Sequence, residues 1–256
     1  MGAIRLLTYN IHHAEGNDGR IDPLRIAAVI RESNADVVGL NEVHHPAVLQ
    51  GSAAPYLDQI ARAADMAYVF GAALAHEAGW VFPAPYGNAL LSRFPLGNAA
   101  TGLLPGAPGR EVRGVVSAQV SAPLNAVCYV THLENRSEEL RLRQLERLLG
   151  ILAAETRPHI LIGDLNAVSA GEESHEHPAS GVPARLRAAG YVDAQAGVGA
   201  LAPTCPATSP VVRIDYVWLS PEVAPALRRC EPWDTPLARL ASDHLPVLAV
   251  LETAGE

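Results

Sequence analysis

The sequence predicts a layered α/β protein, and three observations carry this. The stretch Ile160-Leu161-Ile162 runs straight into Gly163-Asp164-Leu165-Asn166, the pattern of a buried strand that ends in polar residues. A strand-like segment, a helix and a second strand fit between residues 4 and 43, a unit suited to sheets covered by helices. The 256 residues are 49% hydrophobic, enough to bury a large core. We expect one domain over 1–256, because no linker and no internal repeat interrupts the chain.

Residues 4–11 read as a strand with Asn10 near its end. A polar loop from Ala14 to Arg20 leads to Asp22-Pro23, an N-cap acid before a first-turn proline. The helix it starts gives way to a strand over 36–43 that ends in Glu42 after an apolar approach. A helix is expected over 53–64, a short strand over 67–71 and another over 86–93. The glycine- and proline-rich residues 102–109 read as a loop. Segments 112–120 and 125–132 read as neighbouring strands, the second ending in Thr131-His132-Leu133. Ser137 is a candidate N-cap for a helix to Leu152, with acids in its first turn and Leu140, Leu145, Leu148, Leu149 and Leu152 as its apolar face. A polar loop spans 168–182, a short helix 185–189 and an irregular stretch 194–210. The strand at 213–219 carries Asp215, and Ser242-Asp243-His244-Leu245-Pro246 precedes a terminal strand over 247–251.

The net charge is −8, and the 19 basic residues are all arginine. An acidic chain is a poor non-specific ligand for nucleic acid, whose binding depends on neutralising phosphates. Cys128, Cys205 and Cys230 are odd in number and far apart, so neither a disulfide framework nor a zinc site is expected. No run approaches the ~18 apolar residues of a membrane span. The start shows no export signal, and Leu6 stands where myristoylation needs Ser or Thr. These features predict a cytoplasmic protein.

Strand ends collect Asn10, Glu42, His132, Asp164, Asn166, Asp215, Asp243 and His244. Taken singly, each is an ordinary turn, cap or surface residue. Together they offer oxygen donors for a hard divalent cation and groups that can orient water and stabilise phosphate charge. Asp215 lies within an apolar strand, where a carboxylate is costly unless paired, which favours a charge partner such as His244.

The chain resembles the endonuclease/exonuclease/phosphatase superfamily, which includes deoxyribonuclease I, exonuclease III-type repair nucleases, neutral sphingomyelinases and inositol-polyphosphate 5-phosphatases. The resemblance rests on Thr8-Tyr9-Asn10-Ile11, Leu40-Asn41-Glu42-Val43, Tyr86-Gly87-Asn88-Ala89-Leu90-Leu91-Ser92, Thr131-His132-Leu133, Gly163-Asp164-Leu165-Asn166, Arg213-Ile214-Asp215-Tyr216-Val217 and Ser242-Asp243-His244-Leu245-Pro246, in the family's order over residues 4–251. It implies a four-layer α/β/β/α sandwich of two mixed sheets with outer helices, and an active site at one edge between the sheets.

The resemblance further implies that Glu42 is the main ligand of Mg2+ or Mn2+, helped by Asn10 and Asp243. Asp164 would orient the attacking water, with Asn166 steadying it or a phosphate oxygen. His244, held by Asp215, would act as base or charge stabiliser. His132 would contact the phosphate and protonate the leaving oxygen, with Glu77 a candidate partner. Histidine at 132 is similar to deoxyribonuclease I, the sphingomyelinases and the phosphatases, whereas exonuclease III-type enzymes usually carry tyrosine there. The segment Tyr9-Asn10-Ile11-His12-His13 with Gly19-Arg20-Ile21-Asp22 is similar to a bacterial branch linked with lipid or small phosphodiesters.

The expected activity is metal-dependent hydrolysis of a small or lipid phosphodiester. Alternatives are a nuclease, a phosphomonoesterase for an inositol or sugar phosphate, a silent phosphate-binding module, and a zinc hydrolase built on His12, His13, His175 and His177. Trp80 and Trp218 are expected in the core or at its rim. Arg136, Arg141 and Arg143 are expected on an exposed helix face, with Arg141 turned inward.

Overall fold

The computed structural model describes residues 2–46, 54–74 and 85–253. The chain opens with β1 (Ala3–Asn10), a 3-10 turn at His12–Ala14, α1 (Pro23–Ser33) and β2 (Val37–His44). Next come α2 (Tyr56–Ala64), β3 (Ala67–Leu74), β4 (Tyr86–Ser92), β5 (Leu96–Leu103), β6 (Gly114–Val120) and β7 (Ala126–Thr131). Then follow α3 (Glu138–Ala153), β8 (His159–Asp164), α4 (Gly181–Ala188), β9 (Val192–Asp193) and α5 (Ala194–Gly197). The last elements are β10 (Asp215–Leu219), β11 (Leu227–Pro232), α6 (Pro236–Ala241) and β12 (Val247–Glu252).

The strands form two sheets of six, ordered β11-β12-β1-β2-β4-β3 and β5-β6-β7-β8-β10-β9. Each holds one parallel pair near its centre, β1 with β2 and β7 with β8, among antiparallel neighbours. Strand alternation sorts the apolar side chains into layers. Leu6, Val37, Leu90, Val130, Ile160, Ile162, Val217 and Val247 fill the space between the sheets. Their sequence neighbours Leu7, Val38, Leu91 and Leu248 face outward against α1, α2 and α6. On the other side, Tyr129, Leu161, Tyr216 and Trp218 pack against Leu145, Leu148 and Leu152 of α3 and Leu186 of α4. The result is the expected four-layer α/β/β/α sandwich.

Local chemistry explains the helix starts. The Asp22 carboxylate accepts from the Leu24 and Arg25 N–H groups, and Pro23 takes the first helical position. Ser137 Oγ accepts from Leu140 N–H at the head of α3. Burying Leu140, Leu145, Leu148 and Leu152 fixes α3 to its sheet, at about 1.5–3 kcal/mol for each side chain. Arg141 turns inward as expected, donating to the Glu134 and Asn135 carbonyls.

Several elements differ from the sequence reading. Gly102 belongs to β5, whose exposed sequence LGNAATGL has no apolar alternation and is a strand only through its pairing with β6. The short β11, with its register shift, and α6 are absent from the sequence reading for the same lack of a periodic pattern. The strand at residue 160 does not stop at Gly163 but runs through Asp164. Ala53, Trp80 and Glu77 lie outside the described residues.

Gly163 adopts φ +143, and a Cβ there would stand 1.9 Å from the Thr131 carbonyl oxygen. A backbone oxygen cannot move aside cheaply, so only glycine fits this crossing point. We expect Gly163→Ala to lower unfolding stability by about 3 kcal/mol or more, from the combined backbone and packing strain. Gly109→Ala, at φ +70 with open space around it, should cost only about 1–2 kcal/mol. Urea denaturation of the two variants checks the difference.

Candidate active site

The rows of side chains that face between the sheets are apolar through the core and become polar at one end. In β1 the row is Leu6, Thr8, Asn10, and in β2 it is Val37, Gly39, Asn41. In β4 it is Leu90 then Asn88, and in β8 it is Ile160, Ile162, Asp164. β10 begins the same way, with Asp215 ahead of Val217 and Leu219. The β7 row continues past Val130 to His132. A polar cluster therefore forms where the sandwich opens.

Two amides join the sheets there. Asn41 Nδ2 donates to Asn88 Oδ1 at 2.8 Å and to the Thr131 carbonyl at 3.0 Å. Its Oδ1 accepts from the Asp164 N–H at 2.9 Å. Asn88 Nδ2 continues the link to the Gly114 carbonyl at 2.9 Å.

Glu42 follows Asn41, and simple alternation would turn it away from the cleft. Its φ is +60, and the β2–β4 register shifts between Leu40 and Val43. This bulge re-aims the carboxylate, a known use of bulges beside sites. Asn10 Nδ2 donates to Glu42 Oε1 at 3.0 Å and to Asp164 Oδ2 at 3.1 Å. Asn10 Oδ1 accepts from the His12 N–H at 3.1 Å. As placed, Asn10 holds two carboxylates in register rather than turning its oxygen toward them. His13 Nε2 lies 3.3 Å from Glu42 Oε2, with its ring against His44 and Tyr86. Burial, helped by His44 and His12, lowers the His13 pKa to about 3, so the ring faces Glu42 without a charge at neutral pH.

Asp164 and Asp215 stand directly opposite each other on β8 and β10, and like charges so placed repel. His244 relieves the repulsion. Its Nδ1 is 2.9 Å from Asp215 Oδ2 and its Nε2 is 3.9 Å from Asp164 Oδ2. Thr204 Oγ1 also donates to Asp215 Oδ2, at 2.6 Å. Burial disfavours the His244 cation, but the Asp215 carboxylate outweighs it and, with Cys205 and Asp164, raises the pKa. Asp164 is raised by burial first and by Asp215 second, against the lowering effects of His244, Asn166 and Asn10. The facing oxygens and nitrogens of Asp164, Asp215 and His244 lie within 4.8 Å of one another. His244 Nδ1 and Thr204 Oγ1 both bond to Asp215 Oδ2, which fixes the imidazole with its Nε2 toward Asp164.

Asn166 has φ +47, so it does not project beside Asp164 by strand alternation. It reaches the site through a turn, with its N–H donating to Asp164 Oδ1 at 2.8 Å. Asn166 Nδ2 lies 3.1 Å from the Leu133 carbonyl and 3.0 Å from His132 Nε2. His132 Nε2 is also 3.4 Å from Asp164 Oδ2. On the far side of the ring, Arg113 Nη1 is 2.9 Å from His132 Nδ1. Burial first, then Arg113, His244 and His13, pushes the His132 pKa well down.

Asp243 joins through Ser242, whose Oγ donates to the Asn10 carbonyl at 2.8 Å and lies 3.3 Å from Asp243 Oδ1. The structure thus gathers all eight expected residues around one opening. Among the described residues, His12, His13, His175 and His177 form no cluster that can hold a metal. Trp218 is fully buried behind the second sheet. Sequence reasoning missed the structural roles of Asn41 and Asn88, the approach of His13 to Glu42, and the contact of Arg113 with His132. Only the polar break in the inward rows signalled the two amides, and nothing in the sequence marked Arg113.

A family model described as the endonuclease/exonuclease/phosphatase family matches residues 7–244. The chain belongs to that family. It is a family of phosphoric-ester hydrolases. This member is similar to the crystal structure of an endonuclease/exonuclease/phosphatase from Beutenbergia cavernae DSM 12333. The two are 31% identical with a TM-score of 0.79, over 99% of this chain and 72% of that one. A mannosyl-6-phosphatase from Bacteroides thetaiotaomicron VPI-5482 shares 18% identity and a TM-score of 0.71, over 96% and 98% of the two chains. A 3' phosphatase from Neisseria bound to a product DNA hairpin shares 19% identity and a TM-score of 0.70, over 98% and 100%. At these identities the last two speak for the fold alone. No curated protein matches the chain. Among the described residues, no helix is long and apolar enough to cross a membrane.

Asn41→Leu keeps the volume of the carboxamide but strands the Asp164 N–H, the Thr131 carbonyl and Asn88 Oδ1. Each buried group left unpaired costs about 1–3 kcal/mol. We expect a stability loss of about 3 kcal/mol or more by chemical denaturation. A loss below about 1 kcal/mol would show that the two sheets are not held here.

Proposed function

We propose that this family member is a magnesium- or manganese-dependent phosphodiesterase acting on a small or lipid phosphodiester. The observation that carries the reading is the Asn10 bridge. One amide nitrogen lies 3.0 Å from Glu42 and 3.1 Å from Asp164, so a carboxylate suited to a cation and one suited to water stand side by side. Glu42 and Asp243 are hard oxygen donors of the kind that magnesium and manganese prefer. An ion held there would neutralise charge on the phosphate oxygens.

Asp164 orients the attacking water and receives its proton. Its raised pKa, caused chiefly by burial, makes it a stronger base than an exposed aspartate. The water oxygen bonds to phosphorus, the bond from phosphorus to the leaving oxygen breaks, and that oxygen takes up a proton. His244 stays cationic beside Asp215 and offsets the growing negative charge. Asn166 holds Asp164 through its backbone N–H.

Electrostatics favours a small or lipid substrate over a polyanion. The chain is acidic and has no lysine. Arginines near the site are already paired, Arg110 with Glu134, Arg113 with Glu111, and Arg213 with Glu172 and Asp193. Their charge is thereby offset, which weakens the grip these three could exert on a duplex. The fold neighbours include a sugar phosphatase and a DNA 3' phosphatase, so the test needs monoester and DNA arms.

Chelation should abolish hydrolysis, and magnesium or manganese should restore it. Glu42→Ala should remove activity in a folded protein. Asp164→Asn and His244→Ala should each lower turnover by at least ~10²-fold, and Asp215→Asn by less, because it acts through His244. An aryl phosphodiester, an aryl phosphomonoester, a phospholipid panel and supercoiled plasmid are compared under one magnesium condition. Small diesters or lipids should turn over fastest. Efficient, strongly salt-sensitive plasmid nicking with little turnover of the others would make the protein a nuclease.

A further inference from the structure

His132 meets a cation where a histidine that acts as an acid would need a carboxylate. Arg113 is 3% exposed, and its Nη1 lies 2.9 Å from His132 Nδ1 and 2.8 Å from Glu111 Oε1. A guanidinium has only donors and does not lose its proton in a protein. The contact therefore has one polarity: Arg113 donates and Nδ1 accepts. A neutral imidazole whose Nδ1 accepts carries its proton on Nε2.

That proton then stands in the cleft beside a second donor. Asn166 Nδ2, which also reaches the Leu133 carbonyl, lies 3.0 Å from His132 Nε2, and Asp164 Oδ2 lies 3.4 Å away. Asp164 Oδ2 is one acceptor beside this proton, and the adjacent Asn166 donor makes the gap between the two donors a place for a second, anionic oxygen. Among the described residues, the other charged or titratable groups that bear on the ring are Asp164, His244 and His13, with Glu111 beyond Arg113.

We propose that Arg113 is a positioning residue that locks His132 as a neutral Nε2–H donor. His132 and Asn166 then grip one non-bridging phosphate oxygen together, and His132 gives no proton to the leaving oxygen. That oxygen departs with its electron pair and takes its proton from water, which adds no reactant to the hydrolysis. The inference rests on the phosphoric-ester reading for its substrate, but the state of the ring can be read without any turnover.

Long-range proton–nitrogen NMR of the whole protein gives that readout, with the His132→Gln variant identifying the signals of this ring among the 10 histidines. Between pH 5 and 8 the parent should show Nε2 protonated, Nδ1 bare and no titration. Arg113→Lys keeps a cationic donor and should keep this pattern. Arg113→Met should raise the pH at which the ring takes a second proton. A parent ring that titrates with both nitrogens protonated in this range, or that carries its neutral proton on Nδ1, overturns the lock whether or not any variant folds.

A series of aryl phosphodiesters with leaving groups of rising pKa tests the chemical consequence. His132→Gln should slow all of them by a similar factor, as expected for a lost oxygen-binding donor. A loss that vanishes for good leaving groups and grows for poor ones would make His132 the general acid and overturn the proposal. If the ring shows the locked state while no phosphate ester is hydrolysed, the failure belongs to the functional reading.

Discussion

Asn41 donates to Asn88 and to the Thr131 carbonyl, and accepts from the Asp164 N–H. The last two bonds run from the first sheet to the second at the open end of the sandwich, and Asn88 extends the link to the Gly114 carbonyl. The gap between the sheets is otherwise filled by apolar side chains, which attract without direction. Directional bonds at the rim set how the two edges face each other. Within the second sheet, Gly163 lets β8 lie close to the end of β7, because a Cβ there would overlap the Thr131 oxygen that Asn41 also contacts. The position of every group in the cleft depends on this joint.

The joint divides the labour of the site. The first sheet brings Asn10, Glu42 and, just ahead of β12, Asp243 and His244. The second brings His132, Asp164, Asn166 and Asp215. Asn10 couples the halves by touching Glu42 and Asp164 at once. His244 couples them again by lying between Asp164 and Asp215. The opposed aspartates of β8 and β10 would repel if left alone, and the histidine from the other sheet makes their pairing tolerable. Stability and chemistry therefore rest on the same contacts at this edge.

Much of this was legible in the sequence, because inward-facing rows that are apolar and then end in Asn, Asp or His are visible as text. The resemblance to a known family supplied the order of those ends and the roles proposed for Glu42 and Asp243. What was not legible has physical causes. β5 has no hydrophobic pattern and owes its strand to its neighbour. Glu42 reaches the cleft by a bulge, which alternation alone would deny. Asn166 gets there through a left-handed residue, not as the next member of a strand row. Arg113 reads as one arginine among 19, and only the fold brings it to His132. Glu77, the partner considered from sequence, lies outside the described residues, whereas the contact with Arg113 reverses the polarity that a carboxylate would impose on the ring.

The proposed hydrolysis needs a cation held by the first sheet and a proton accepted by Asp164 of the second. Anomalous diffraction from crystals soaked in Mn2+ and a non-hydrolysable phosphodiester measures this directly. The account predicts a manganese peak in contact with the Glu42 carboxylate, with His244 still paired to Asp215 and a phosphate oxygen beside His132 and Asn166. A peak ligated by Asp215 and His244 with none at Glu42 would contradict it.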